Sequence, residues 1–130
     1  MESMRPNPDW DPDAHPEVVD AFADLDDDVV FRVWGADWCP DTRQALPDFA
    51  AALAAAGVGG DRIEAVEVDE DKAGPGTDAY GIELIPTVVV ERDDEELARF
   101  VESEPVPVAE YLAGRLTDGD LTMAAEGTDR

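Results

Sequence analysis

The sequence predicts one α/β domain in which helices cover both faces of a central mixed sheet. Segments with helical and strand character alternate along the chain until a closing hairpin and a last helix, the pattern of such a layered sheet. The 130 residues suffice for one hydrophobic core, and no shift in composition indicates a second domain. We therefore expect a domain over residues 15–116, preceded by an irregular arm (1–14) and followed by a flexible acidic tail (117–130).

The N-terminal arm is predicted to be irregular because it contains three prolines and four acidic residues and is almost without apolar side chains. Trp10 is its candidate anchor to the core. A first amphipathic helix is expected from Pro16 to Leu25, where apolar residues recur at helical spacing. His15 precedes it, and we expect an exposed capping residue. A catalytic base or metal ligand is the alternative, but no group of Cys, His or carboxylate residues with metal-ligand spacing surrounds it.

The only cysteine, Cys39, is predicted to lie at a turn between a strand and a helix. The apolar strand that starts at Val29 ends at Gly35, and Pro40 suits the first position of the next helix. Unpaired N–H groups at a helix start favour a thiolate, so a reactive nucleophile is one interpretation. A lone cysteine in a soluble protein is more often a small buried hydrophobe, which is the alternative. Its place at a turn, between Trp38 and Pro40, favours the first.

The remaining elements follow from periodicity and turn residues. The helix after Cys39 should end at Gly57 and bend at Pro47, which removes one backbone hydrogen bond. Asp93 and Asp94 are predicted to form a hairpin turn. The other predicted elements are a strand over 62–69, a short helix over 77–80, a strand after Pro86, an edge or near-edge strand over 96–102 and a last helix after Pro107.

Three motifs in this order resemble the thioredoxin family: W-C-P-D-T at Trp38–Thr42, a proline at Pro47 within the following helix, and I-P-T at Ile85–Thr87. The resemblance covers roughly residues 17–116. It implies a thioredoxin-like fold, a cis peptide bond before Pro86, and Cys39 as the nucleophile. It also implies that Trp38, Pro40, Ile85 and Pro86 line the substrate groove, where an extended peptide could add to the backbone of Ile85.

The sequence also departs from that family. Thr42 stands where the family has its second, resolving cysteine, so this chain cannot form an internal disulfide. Val33 replaces the family's buried acidic residue, and its usual lysine partner corresponds to Ala65. A two-cysteine reductase cycle is therefore not expected.

Charge is the second strong signal. The chain has 33 acidic and 9 basic residues, a net charge of −24. Because phosphate contacts need clustered Lys or Arg, nucleic acid and anionic membranes are not expected partners. Acidic surfaces with almost no lysine, here only Lys72, resemble those of proteins from salt-accumulating halophiles, where a Debye length of about 3 Å at 1 M salt screens repulsion. A surface for a basic partner is the alternative.

No apolar run approaches the roughly 20 residues that span a bilayer, and the N-terminal segment has no apolar region typical of a secretory signal. We therefore expect a cytoplasmic monomer. We expect neither a cofactor nor a metal: the acidic run at 26–28 is typical of a solvated loop, and the glycine-rich segment at 73–77 lacks the spacing of a phosphate-binding loop.

The function predicted from the sequence is thiol–disulfide exchange through a single nucleophile, with protein thiols or a low-molecular-weight thiol as partners. Thr42, one helical turn after Cys39, is a candidate hydroxyl donor to the thiolate. Asp37 and Asp41 should oppose the negative sulfur. The alternative is a binding module that keeps the fold and recognises extended peptides without turnover. An iron–sulfur role is less favoured, since the C-G-F-S loop of one-cysteine glutaredoxins is absent.

Overall fold

The structure, a computed structural model, describes residues 1–93, 95–102 and 106–125, with side chains as far as Leu116. Four strands and four helices make up this part of the chain. The strands are β1 (Val29–Gly35), β2 (Ile63–Glu67), β3 (Thr87–Arg92) and β4 (Glu95–Val101), and the helices are α1 (Pro16–Ala23), α2 (Pro40–Ala55), α3 (Thr77–Tyr80) and α4 (Val108–Ala125). Short 3-10 turns cover Glu2–Met4, Pro12–Ala14 and Gly60–Arg62.

The strands form one mixed sheet in the order β2-β1-β3-β4. Strand β1 pairs in parallel with β2 and antiparallel with β3, and β3 pairs antiparallel with β4. The parallel pair requires a crossover, which α2 provides. The predicted α/β class with a mixed sheet is thus confirmed, and β4 lies at an edge.

The main core lies between one face of this sheet and helices α1, α2 and α4. Alternate residues of β1 and β3 point into it, because successive side chains of a strand face opposite sides. Phe22 of α1, Phe31 of β1 and Phe49 of α2 meet at its centre, with ring centroids 5.6–6.2 Å apart. All three are fully buried. The side chains packed around them are aliphatic or aromatic, so this face provides most of the hydrophobic stabilisation.

The opposite face carries a smaller apolar cluster around Trp34, covered by α3 and the loop before it. The indole of Trp34 lies 4.9 Å from the ring of Tyr80, and its Nε1 donates to the carbonyl of Pro75 at 2.9 Å. Gly76 has a φ of +83°, and a Cβ there would lie 3.1 Å from the indole. Only glycine combines that backbone conformation with such close packing.

The N-terminal arm is more ordered than its composition indicates. Its two 3-10 turns pack against the domain: Met1, Met4 and Trp10 are partly buried against the main core, and Ser3 is buried. The ring of Trp10 also stacks on that of His15, with the ring centroids 5.0 Å apart. His15 is consequently half-buried rather than exposed, and its side chain makes no capping hydrogen bond.

The last helix is longer than expected, since α4 continues from Leu116 to Ala125. No proline follows Pro107, and the leucine, methionine and alanine residues beyond Leu116 are good helix formers. The flexibility of 117–130 stays a prediction, and residues 126–130 lie outside the described part. In the predicted hairpin turn, Asp93 has a left-handed φ of 52°, whereas Asp94 lies outside the described residues.

Candidate functional site

Cys39 occupies the N-cap of α2. Its backbone is extended (φ −90°, ψ 120°), and Pro40 takes the first helical position, where a missing N–H costs nothing. The Cys39 amide donates to the carbonyl of Ala36 at 3.0 Å, and its own carbonyl accepts from the Arg43 amide at 3.1 Å. The residue is 9% exposed. Cys39 is therefore a largely buried residue at a helix start.

The surroundings of Cys39 are apolar. It belongs to the small cluster on the Trp34 face, together with Ala36, Val68, Ile82 and Ile85. The Ile85–Pro86 peptide bond is cis. Two residues from distant parts of the sequence, Cys39 and Ile85, therefore belong to one cluster.

Two large side chains near this cluster are exposed. Trp38 is 42% exposed, and its Nε1 donates to the carbonyl of Val68 at 3.3 Å, which fixes the indole beside the cysteine. Leu84, which immediately precedes Ile85, is 40% exposed. Pro40 is exposed as well, whereas Pro86 is buried. Trp38 and Leu84 thus expose apolar side chains at positions that directly precede two members of the cluster, Cys39 and Ile85.

Thr42 serves the backbone before Cys39. Its side chain is fully buried, and its Oγ1 accepts a hydrogen bond from the amide of Ala36 at 3.3 Å. Gly35 allows this approach, since a Cβ there would lie only 2.9 Å from Cγ2 of Thr42. Among the hydrogen bonds of the described residues there is none from Thr42 to Cys39. The geometry therefore points to Thr42 as a support for the turn, and its role as a donor to the sulfur stays a prediction.

Asp37 is held by the N-terminal arm through contacts that the sequence does not predict. Its carboxylate accepts from the amide of Glu2 at 2.9 Å and from the amide and the hydroxyl of Ser3 at 3.0 and 2.8 Å. The bond from the Glu2 amide, opposed by partial burial and reinforced by those from Ser3, holds the pKa of Asp37 below its usual range. On the other side, Arg43 donates to the carbonyl of Asp37 at 2.7 Å. The loop before Cys39 is thereby tied to the arm and to α2.

The same sheet face carries a polar network farther from the thiol. Arg32 of β1 bonds Glu91 of β3 and Glu64 of β2, and the Tyr80 hydroxyl donates to Glu91 at 2.7 Å. Burial alone would raise the pKa of Glu91, but the bonds from Arg32 and Tyr80, with the Arg32 charge, hold it below its ordinary value. Glu91 is buried, so its partners satisfy a charge that would otherwise be costly to bury.

The position of the family's buried acid is apolar here. Val33 is fully buried in the main core, and its register partner in β2 is Ala65. Within the described residues, no three or more Cys, His, Asp or Glu side chains are grouped so that they could hold a metal. In the same part of the chain, no helix is long and apolar enough to cross a membrane.

Comparison with known proteins identifies the fold. No model of a known protein family matches the sequence, and no curated protein matches it either. Solved structures do match. The germline-specific thioredoxin Deadhead of Drosophila melanogaster aligns with a TM-score of 0.51 at 20% identity, over 82% of this chain and 90% of its own. A thioredoxin of Nicotiana alata has a TM-score of 0.51 at 15% identity, over 85% of this chain and 88% of its own.

The fold is thioredoxin-like. A thioredoxin of Fasciola hepatica supports the same conclusion, with a TM-score of 0.50 at 22% identity, over 70% of this chain and 80% of its own. At such identities the likeness concerns the fold. The chemistry of this thioredoxin-like chain depends on its own residues.

Proposed function

We propose that this protein performs thiol–disulfide exchange with Cys39 as its single nucleophile, as a monothiol oxidoreductase or isomerase. The observation that carries the proposal is the position of Cys39: it is the N-cap residue of α2 and packs in one cluster with Ile85. N–H groups of a first helical turn stabilise negative charge on a sulfur at this position. The apolar surface of Trp38 and Leu84 beside it suits an extended protein segment that carries a thiol or disulfide.

The proposed reaction has two exchanges. The Cys39 thiolate attacks one sulfur of a substrate disulfide, that S–S bond breaks, and the departing sulfur takes up a proton. The mixed disulfide is then attacked by a second thiolate, from the substrate itself or from a low-molecular-weight thiol, which releases Cys39. With the substrate's own thiol the result is isomerisation. With a small thiol, release of Cys39 leaves that thiol joined to the substrate sulfur. A second molecule of the small thiol then completes the net reduction, and the two small thiols leave as their disulfide.

The contacts of Asp37 and Thr42 support this chemistry indirectly. The carboxylate of Asp37 accepts three hydrogen bonds from Glu2 and Ser3, and these donors offset its charge. Asp41, in the first turn of α2, is an exposed carboxylate. Thr42 holds the Ala36 amide and so fixes the backbone that presents the sulfur. We assign positioning roles to both residues.

A binding module without turnover is the second candidate, and the low exposure of Cys39 favours it. In that case Trp38, Pro40, Ile85 and Pro86 would bind an extended peptide, and the thiol would be incidental. The two candidates differ in what Cys39→Ser does. Exchange predicts that covalent capture is abolished, whereas binding alone predicts that partner affinity is unchanged.

The decisive experiment is to incubate the reduced protein with oxidised glutathione in high salt and to measure its intact mass. The expected result is an adduct of one glutathione on native protein, reversed by added thiol and absent from Cys39→Ser. Circular dichroism of the same samples shows whether they are folded. Folded protein that forms an adduct only after denaturation would overturn the exchange proposal.

We further infer that the chain works in concentrated salt. A net charge of −24 on 130 residues is strongly self-repulsive in dilute buffer, and salt near 1 M reduces the Debye length to about 3 Å. The melting temperature should therefore rise as KCl is added. A melting temperature that does not change between dilute buffer and molar KCl would contradict this inference. Reduced Cys39 is the reactive form, which fits a reducing compartment such as the cytoplasm.

A further inference from the structure

A cavity of about 460 Å³ lies on the main-core side of Pro86, between α2, the end of β4 and the first turn of α4. Its size is within the range of about 300–1,000 Å³ typical of ligand sites. It is distinct from the surface of Trp38 and Leu84, because neither of those residues lines it. The cavity is therefore a separate candidate binding site.

The floor of the cavity is apolar. Phe49 of α2, Phe100 of β4 and Pro86 line the cavity and are buried, so we describe them as its floor. Val106 also lines it but is exposed, so we place it at the rim. This floor suits an aliphatic or aromatic side chain, which would be removed from water on binding.

The charged residues of the cavity all have one sign. Asp41 and Asp48 of α2, Glu102 after β4 and Glu110 in the first turn of α4 line it, and the described lining residues include no Lys, Arg or His. Asp48 already accepts a hydrogen bond from the side chain of Asn7 at 2.8 Å, so its carboxylate has a fixed place. Carboxylates around a partly enclosed apolar floor repel anions and attract cations.

We propose that this cavity binds an extended protein segment in which an apolar residue is flanked by arginine or lysine. The apolar side chain occupies the floor of Phe49 and Phe100, and the basic groups meet the carboxylates at the rim. Long basic side chains suit this arrangement because their stems pack on apolar surface while the charge stays near water. A bare metal ion does not fit, because the described carboxylates form no metal-holding group.

This inference goes beyond the proposed exchange reaction and does not depend on it. Pro86 and Asp41 border the cavity, so a bound segment would run past the turn that carries Cys39. Binding nevertheless needs no thiol and can be measured on the Cys39→Ser protein. Failure of the binding test would leave the exchange reaction intact, and failure of the glutathione test would leave this proposal intact.

The test measures binding of a fluorescent, cysteine-free peptide, Gly-Arg-Leu-Arg-Gly, to the Cys39→Ser protein in about 1 M KCl, where a Debye length of about 3 Å suppresses attraction at a distance. A peptide with glutamate in place of arginine is the charge control. The protein should bind the arginine peptide and not the glutamate peptide. Absence of arginine-peptide binding to folded protein, or equal binding of both peptides, would overturn the proposal.

Matched variants separate the cavity from the acidity of the whole surface. Asp41→Asn with Asp48→Asn removes two carboxylates at the cavity, and Asn at position 48 can still accept from Asn7. Glu17→Gln with Asp20→Asn removes the same charge from the exposed side of α1. We expect about tenfold weaker binding for the first pair and less than about twofold for the second, since tenfold corresponds to about 1.4 kcal/mol. Equal losses would mean diffuse attraction and would overturn the proposal.

A third variant tests the apolar floor. Ala45 lines the cavity and is half-buried, so Ala45→Phe should fill part of the space. The peptide should then bind at least about tenfold more weakly, with the melting temperature of the protein as the control for folding. Unchanged affinity in a folded Ala45→Phe protein would show that the segment does not enter the cavity.

Discussion

Different interactions stabilise the two faces of the sheet. Under α1, α2 and α4 the contacts are almost purely apolar, with three phenylalanine rings at the centre. On the Trp34 face a small apolar cluster holds Cys39, and polar bonds such as those of Arg32 and Glu91 extend it along the sheet. The first face stabilises the domain through buried apolar area. The second holds individual side chains in place through directed hydrogen bonds.

This difference suggests a division of labour. The large apolar core supplies most of the stability. The small cluster, with its polar contacts, holds one thiol in place and buries much less apolar area. Mutations in the two faces should therefore differ in both size and kind of effect.

The largest effect is expected from Phe49→Ala in the main core. Truncating a fully buried phenylalanine removes apolar contacts and leaves a cavity, so the free energy of unfolding should fall by about 3–5 kcal/mol, measured by denaturant titration in high salt. Ile82→Ala, in the small cluster, is the matched comparison. If Ile82→Ala cost as much as Phe49→Ala, the two faces would not differ in the proposed way.

The next effect concerns Glu91. Glu91→Gln removes the charge that Arg32 pairs with and should cost about 1.5–3 kcal/mol near neutral pH. Because the folded-state pKa of Glu91 is lowered, its contribution is fully present above the unfolded pKa and is lost as the pH falls through the folded value.

The difference in stability between wild type and Glu91→Gln should consequently shrink as the pH falls below about 4, near the unperturbed pKa of glutamate. Urea titrations of both proteins at a series of pH values measure it. A difference that stays constant down to the lowest accessible pH would mean that Glu91 is not held ionised by its partners.

A smaller effect is expected at the Cys39 turn itself. Thr42→Val keeps the shape of the side chain but leaves the buried Ala36 amide without its acceptor, at a cost of about 1–3 kcal/mol. Thr42→Ser keeps the hydroxyl and should recover most of that amide contact. If Val and Ser variants had the same stability and the same rate of Cys39 alkylation, Thr42 would not position the turn.

The smallest effect is expected in the N-terminal arm. Ser3→Ala removes one of the three bonds to the Asp37 carboxylate, at a cost of about 0.5–1.5 kcal/mol. Hydrogen exchange of the amides around Asp37 should accelerate, while exchange in the Phe49 region should not. Exchange that stays equally slow at both places would show that the arm does not hold this loop.

The elements that the sequence predicted correctly depend on local signals. Gly81 predicts the end of a short helix over 77–80, and the structure has α3 at Thr77–Tyr80. Pro40 marked the start of α2 and so located Cys39 at its N-cap. Strand β3 follows Pro86 because its run of valines is bounded by a proline and by charged residues. Such signals lie within a few residues of the structure that they specify.

The contacts that the sequence did not predict join residues far apart in the chain. Ser3 and Asp37 are one example, and Arg32 and Glu91 are another. Nothing in the local pattern distinguishes Asp37 from the other acidic residues of so acidic a chain. The close approach of Thr42 to Gly35 is likewise invisible until α2 is packed onto β1.

The sequence by itself determined where the strands, the α-helix starts and the turn of Cys39 occur, because backbone conformation and capping depend on neighbouring residues. It also determined the net charge. It did not determine the end of α4 or the 3-10 turns of the N-terminal arm. Only the tertiary structure decided how little of Cys39 reaches solvent, which carboxylates are engaged and where a cavity opens beside Pro86. Those properties depend on which surfaces meet when helices pack on the sheet, and packing is set by the whole chain at once.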